Sequence, residues 1–225
     1  SSSAKQRFRL RWNSSARDIR AAISDTKWID ADAKLDILEQ VLTDAHLLER
    51  KFNEEWDFDP LGAWFADLGR AEVSSANPVT AIIVPMVEVI SSGGISVERR
   101  QKWSRHQVPL LRNLAILAVG SDPSIESSER IRWLFEHCAN LLEPGVRNEA
   151  MLLLADNISA VDDHLHQEVF NRIRADSDSP LNTYRAFRII TEGEPDWAEA
   201  VGELSRLEAD NDEVKDVLRK HAEWA

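Results

Sequence analysis

Cysteine and long hydrophobic runs are almost absent from this 225-residue chain. Its single cysteine, Cys138, can form no disulfide within the chain and rules out a cysteine-rich zinc site. The most apolar stretch, residues 79–90, contains Pro85 and Glu88 and falls short of the roughly 20 apolar residues that span a bilayer. The sequence therefore predicts a chain that does not cross a membrane, and the lone thiol favours the reducing cytoplasm.

Recognisable catalytic and nucleotide-binding motifs are also missing. The chain has no Gly-x-Gly-x-x-Gly fingerprint, P-loop, Gly-x-Ser-x-Gly elbow or His-Glu-x-x-His pair. Their absence disfavours an enzyme without removing that class, and it predicts no cofactor. The first residues, Ser1 to Ser3, have neither a methionine nor an apolar signal core, so we expect a cloning remnant or a cut from a longer chain.

Basic residues are the minority among the charged ones. The 39 acidic and 27 basic side chains give a formal net charge of −12. Such a charge repels nucleic-acid backbones and anionic membranes at long range. It disfavours a nucleic-acid partner, although a local basic patch would still allow one. Residues 1–20 are the exception, because six of their seven charged side chains are basic.

Helix punctuation is the most abundant signal present. Six of the eight prolines stand where a helix would begin, several directly after Asp, Asn or Ser, which cap the free N–H groups of a first turn. Apolar residues recur at intervals of three and four, as at Leu35, Leu38 and Leu42, which is the period of a helix with one buried face. The predicted helices lie near residues 15–24, 31–55, 60–68, 78–91, 97–119, 124–142, 145–160, 163–175, 180–192, 195–208 and 212–223. The fold class is therefore all-α, an antiparallel array of helices joined by short turns.

Two stretches have strand-like features. Residues 7–12 alternate basic and apolar side chains and are predicted to form an extended arm. Residues 79–90 are rich in β-branched side chains, but Asn77-Pro78 precedes them and Gly93 follows them. We therefore predict a helix there, with Pro85 inside it.

The C-terminal half has a regular rhythm of helix pairs, each about 32–39 residues long, which indicates a solenoid. Residues 144–155, Pro-Gly-Val-Arg-Asn-Glu-Ala-Met-Leu-Leu-Leu-Ala, resemble the second half of a HEAT-type repeat, and residues 211–218 are a looser echo. Tetratricopeptide repeats are the rival family, but their Trp-x-x-Leu-Gly and Ala-x-x-x-Phe marks do not recur. The resemblance implies a HEAT-like α-solenoid over residues 96–225. Residues 14–95 form an N-terminal helical region, and residues 1–13 are the basic arm or a remnant.

Two places in the sequence are candidates for metal binding or catalysis. Asp162 and His166 lie four apart and would share a helix face, with His164 between them, a spacing that can hold a divalent metal. The alternative is a helix start with Asp162 as its cap and solvated histidines. Cys138 falls on an apolar stripe with Leu134 and is expected to be a buried, unreactive thiol.

Two further clusters are candidates for partner binding. One is an acidic and aromatic run at residues 54–59, which otherwise makes a helix end and a turn. The other is a basic stretch at residues 99–112, where Arg105 and Arg112 would share a face of one helix and bind phosphates, or pair with the acidic body as a solvated face. The predicted partner-binding residues are Trp56, Phe58, Trp103, Arg99, Arg105 and Arg112.

The function that these expectations favour is a non-catalytic helical-repeat module that binds a protein partner or a neighbouring domain. Two alternatives stay open. One is a nucleic-acid binder, because bacterial DNA-alkylation repair glycosylases are HEAT-like solenoids of similar length. It would require Arg99, Arg105, Arg112, Arg147 and Arg188 to cluster on one face. The other is a metal-dependent hydrolase centred on His164 and His166.

Overall fold

The computed structural model describes residues 30–52, 80–93 and 95–224, and all regular elements within these ranges are helices. No β-strand occurs in these three ranges, so the prediction of an all-α protein is confirmed for them. The α-helices in chain order are α1 (Ala31–Phe52), α2 (Thr80–Gly93), α3 (Val97–Ser104), α4 (Pro109–Ser121), α5 (Ser127–His137), α6 (Arg147–Asn157), α7 (Asp163–Asp176), α8 (Pro180–Gly193), α9 (Ala198–Asp210) and α10 (Asp212–Trp224). A short 3₁₀ turn, Ile158–Ala160, follows α6.

The chain divides into two compact units between Asp122 and Pro123. Helices α3 and α4 belong to the first unit, although the sequence placed them with the repeat region. The predicted domain boundaries at residues 13/14 and 95/96 stay predictions, and the arm at residues 1–13 lies outside the described ranges.

Helices α1 to α4 build the first unit around an aliphatic core. The predicted stripe of α1 is buried, including Leu35, Leu38 and Leu42. Helix α2 contains Pro85 as predicted, and its Met86 is fully buried. Helix α4 packs against both α2 and α3 and is buried along most of its length.

The predicted single helix over residues 97–119 is wrong. The chain leaves the helix at Arg105 and begins a new one with Pro109 in its first turn. Proline has no N–H to donate within a helix, and its ring collides with the preceding turn, so a helix breaks ahead of it. The backbone N–H of Val108 donates to Nδ1 of His106 at 3.2 Å, which supports the connecting turn.

Helices α5 to α10 form the second unit, in which α8 lies beside both α6 and α10. Helix α8 packs against α6 and α10, in addition to its chain neighbours α7 and α9. The connections are short, and a single residue, Asn211, separates α9 from α10. This packing of helices against near neighbours is compatible with a helical repeat.

Side-chain caps explain why several of these helices begin where they do. Asp162 accepts a hydrogen bond from the Leu165 N–H at 2.8 Å, and Ser179 accepts one from Asn182 at 3.2 Å. Each satisfies an N–H group that the first helical turn leaves free. The prediction that Asp162 caps a helix is therefore confirmed.

An aromatic cluster seals the junction of α7, α8 and the start of α9. The ring of Phe170 lies 5.0 Å from that of Phe187, and both face Trp197 edge-on at 6.3 and 6.4 Å. Edge-to-face contacts of this kind add to the hydrophobic gain of burial. Trp197 is thus a packing residue within the second unit.

Candidate functional site

The first unit contains a charged cluster centred on Glu39, a buried carboxylate on α1. Its Oε2 accepts a hydrogen bond from Nε1 of Trp103 at 2.8 Å, and its Oε1 lies 2.6 Å from Nζ of Lys102. Helices α1 and α3 are therefore joined by a buried hydrogen bond as well as by charge. We call Glu39, Arg99, Lys102 and Trp103 the Glu39 cluster.

Arg99 is occupied within the same cluster. Its guanidinium donates to Oδ1 of Asp36 at 2.8 Å and to Asp32 at 3.3 Å, and it lies 5.7 Å from the centre of the Trp103 ring. Because the carboxylates that pair with it come from α1, this basic residue ties α3 to the acidic body. The solvated-face interpretation of the basic stretch describes Arg99 better than a phosphate site does.

The predicted partner-binding residues other than Arg99 have different surroundings. Trp103 is completely buried. Arg105 is exposed at the end of α3, and Arg112 is half-buried on α4, so the two do not share one helix. Trp56 and Phe58 lie outside the described residues. Partner binding by this set of side chains remains a prediction.

The histidines of the predicted metal cluster have separate environments. His164 is exposed, with its Nδ1 3.3 Å from Oε1 of Glu168. His166 packs on Trp197 with 5.0 Å between ring centres, so it is not the solvated histidine that the alternative interpretation expected. Among the described residues, no group of three or more His, Cys, Asp or Glu side chains is arranged to hold a metal ion.

The second unit has a cleft of about 310 Å³ between α6 and α8, which the sequence did not predict. Three arginines line it: Arg147 from the first turn of α6, and Arg185 and Arg188 from α8. We call it the arginine cleft. Its remaining lining consists of Asn148, Met151, Ala186, Ile189 and Glu192.

The walls and floor of the arginine cleft differ in character. Met151 and Ala186 are fully buried beneath it, whereas Arg185 and Arg188 are exposed at its rim. Glu192 is the only carboxylate in the lining. The cleft therefore combines an apolar base with a rim that is mostly positive.

Positive charges crowd each other at Arg147. Burial is the main cause that lowers the pKa of its guanidinium, and the nearby charge of Arg185 lowers it further, while Asp178 acts in the opposite direction. Its Nη1 donates to the neutral amide oxygen of Asn182 at 2.7 Å. Arg147 thus holds its charge in a partly desolvated place without a direct carboxylate partner.

The sequence predicts only part of the arginine cleft. Arg185 and Arg188 lie three apart on a helix and so share a face. Arg147 and Arg188 were both named as members of a hypothetical basic face. That face did not include Arg185, which lies 38 positions after Arg147, and nothing in the sequence brings α6 beside α8.

Comparisons with protein-family models, with curated proteins and with solved structures give no match to this chain. The helices within the described ranges include none that is both long and apolar enough to cross a membrane.

Proposed function

We propose that this chain is a helical-repeat protein–protein interaction module, of the HEAT type in its C-terminal half, that serves as a recognition part of a larger protein or complex. Stacked helical pairs expose a continuous surface that can hold an extended partner, and they need no reactive centre to do so. The side-by-side packing of α6, α8 and α10 supports this proposal.

The single observation that carries the proposal is the arginine cleft on that packed layer. The partly exposed Ile189 and the exposed Arg185 and Arg188 give it apolar surface beside polar groups, as in the usual composition of a recognition surface. Arginine is also among the residues that most often dominate binding energy.

A second candidate function, nucleic-acid binding, is favoured by one specific observation. Arg147 and Arg188, two of the five arginines that this hypothesis needs on one face, line the same cleft. The other three, Arg99, Arg105 and Arg112, lie in the first unit, where Arg99 is paired with carboxylates. The net charge of −12 opposes a polyanionic partner, so a protein partner is the better supported of the two.

The test is affinity capture from an extract of the source organism, with the chain as bait and a mock bait for comparison. Half of the extract is treated with nuclease, and retained proteins are quantified by mass spectrometry. We expect at least one protein in near-stoichiometric amount that survives nuclease treatment. Retention that disappears with nuclease, together with a gel shift of DNA or RNA at low salt, would favour the nucleic-acid function. A profile no different from that of the mock bait would refute the proposal.

A further inference from the structure

We propose that the arginine cleft binds an acidic segment of a partner protein, holding its carboxylates with Arg147, Arg185 and Arg188 and an adjacent apolar side chain against Ile189. This inference deepens the proposed function and depends on it. The charges and the shape of the cleft define this kind of occupant.

The charges of the cleft call for an anion. Within the described part of the chain, its three arginines form no ion pair with a carboxylate, whereas Arg172, Arg206 and Arg219 of the same unit each do. An arginine guanidinium binds a carboxylate through two parallel hydrogen bonds, which is stronger and more directional than a single contact. A bound carboxylate would also relieve the repulsion between neighbouring guanidinium groups.

The position of the cleft adds to this attraction. Arg147 and Asn148 lie in the first turn of α6, where the aligned peptide dipoles leave a partial positive charge. The side-chain amide of Asn148 can donate a further hydrogen bond. The helix end is a supplement here, because the three arginines supply most of the positive charge.

The size and base of the cleft favour a peptide over a nucleic acid. A volume of about 310 Å³ is at the small end for ligand pockets and suits one or two side chains of a bound segment. Ile189, which is partly exposed, offers apolar contact that a sugar–phosphate backbone cannot use. A short acidic segment also carries few charges, and at physiological salt charges more than about 8 Å apart are largely screened from each other. Such a segment therefore interacts mainly with the arginines of the cleft and is repelled little by the acidic remainder of the chain.

The experiment begins with selection of a random peptide library on the full chain. The enriched peptides are then titrated against three proteins by fluorescence anisotropy. One is the wild type, one combines Arg185→Gln with Arg188→Gln, and the third combines Arg132→Gln with Arg219→Gln. Both double variants lose two positive charges from exposed positions of the second unit, but only the first changes the cleft. A single-stranded DNA oligonucleotide is titrated in parallel.

We expect the enriched peptides to combine Asp or Glu with an apolar neighbour. The cleft variant should bind them at least about tenfold more weakly, as expected for the loss of charge-assisted hydrogen bonds, while the control variant changes little. Replacing Glu by Gln in the peptide should weaken wild-type binding to a similar extent.

Three results would overturn the inference. The first is a set of enriched peptides without an acidic excess. The second is an equal loss of binding in both double variants. The third is binding of the oligonucleotide, and not of the peptides, that depends on Arg185 and Arg188. The proposed function is tested separately by the captured partner. If a nuclease-resistant partner is retained equally by the wild type and the cleft variant, the interaction module stands and this site is wrong.

Discussion

Replacement of Gly193 by alanine tests the closest approach between two helices of the second unit. Gly193 is the last residue of α8 and lies against the backbone of Ala155 in α6. A Cβ atom added to Gly193 would lie 2.7 Å from the carbonyl carbon of Ala155 and 3.0 Å from its Cα, and closer still to its oxygen. In real structures a Cβ atom essentially never comes within 3.0 Å of a heavy atom to which it is not linked through its own residue or its chain neighbours. Because the obstruction is backbone, no rotamer change can relieve it.

The cost follows from how much must move. The end of α8 has to shift away from α6 by roughly an ångström, and over-packing of this kind typically costs about 1–3 kcal/mol. Alanine at a helical position regains about 0.5–1 kcal/mol over glycine, which offsets part of that cost. We expect a net loss in the free energy of unfolding, seen as a midpoint lower by about 2–4 °C for each kcal/mol lost.

Gly202→Ala is the matched control. Gly202 lies within α9, in the same unit, and nothing lies within 4 Å of a Cβ added there. That variant should therefore be stabilised by about 0.5–1 kcal/mol. Both variants are compared with the wild type by urea unfolding and by thermal unfolding, each followed by circular dichroism. Changes of the same sign and size in the two variants would refute the close approach of α6 and α8.

Three further predictions concern buried groups. Leu153→Asp should abolish the cooperative unfolding of the second unit, because burying an unpaired charge costs several kcal/mol, and a melt like the parent's would contradict the burial of Leu153. Glu39→Gln should lower the free energy of unfolding in urea by about 1–3 kcal/mol, because it weakens the partner of Trp103 and Lys102, and an unchanged midpoint would count against the Glu39 cluster. Burial is the main cause that lowers the pKa of His106 below its ordinary 6.5, so the unfolded chain binds the proton more tightly and the free energy of unfolding should fall as pH drops below 6.5. His106→Asn should lessen that fall in urea titrations at paired pH values. An equal fall in the variant and the wild type would show that His106 is not its cause.

Interactions along the chain made the helices predictable. A capping side chain such as Asp162 or Ser179 meets an N–H only three residues ahead, and an apolar stripe such as that of α1 depends on spacings of three and four. Both signals are complete within one turn of helix. The break before Pro109 was predictable by the same kind of local rule, although the apolar run through residues 110–119 concealed it.

The candidate site depends on contacts that no local rule describes. The hydrogen bond between Trp103 and Glu39 joins residues 64 positions apart, so a tryptophan expected to bind a partner is used inside the first unit. Gly193 ends its helix without the left-handed conformation that favours glycine at many helix ends, because the only positive φ among the described residues is at Gly145. Gly193 is instead required by the close approach of α6.

The amino-acid sequence alone therefore determined that this chain is helical, where most helices begin, and that no disulfide joins its parts, because each follows from composition or from neighbours within one turn. Only the tertiary structure decided which charges are paired and which are grouped. Packing of α6 against α8 places Arg147 beside Arg185 and Arg188, while packing of α1 against α3 consumes Arg99 in ion pairs. The spacing of charged residues along the chain does not show which distant residue each one will meet. The arginine cleft therefore forms only when the helices pack.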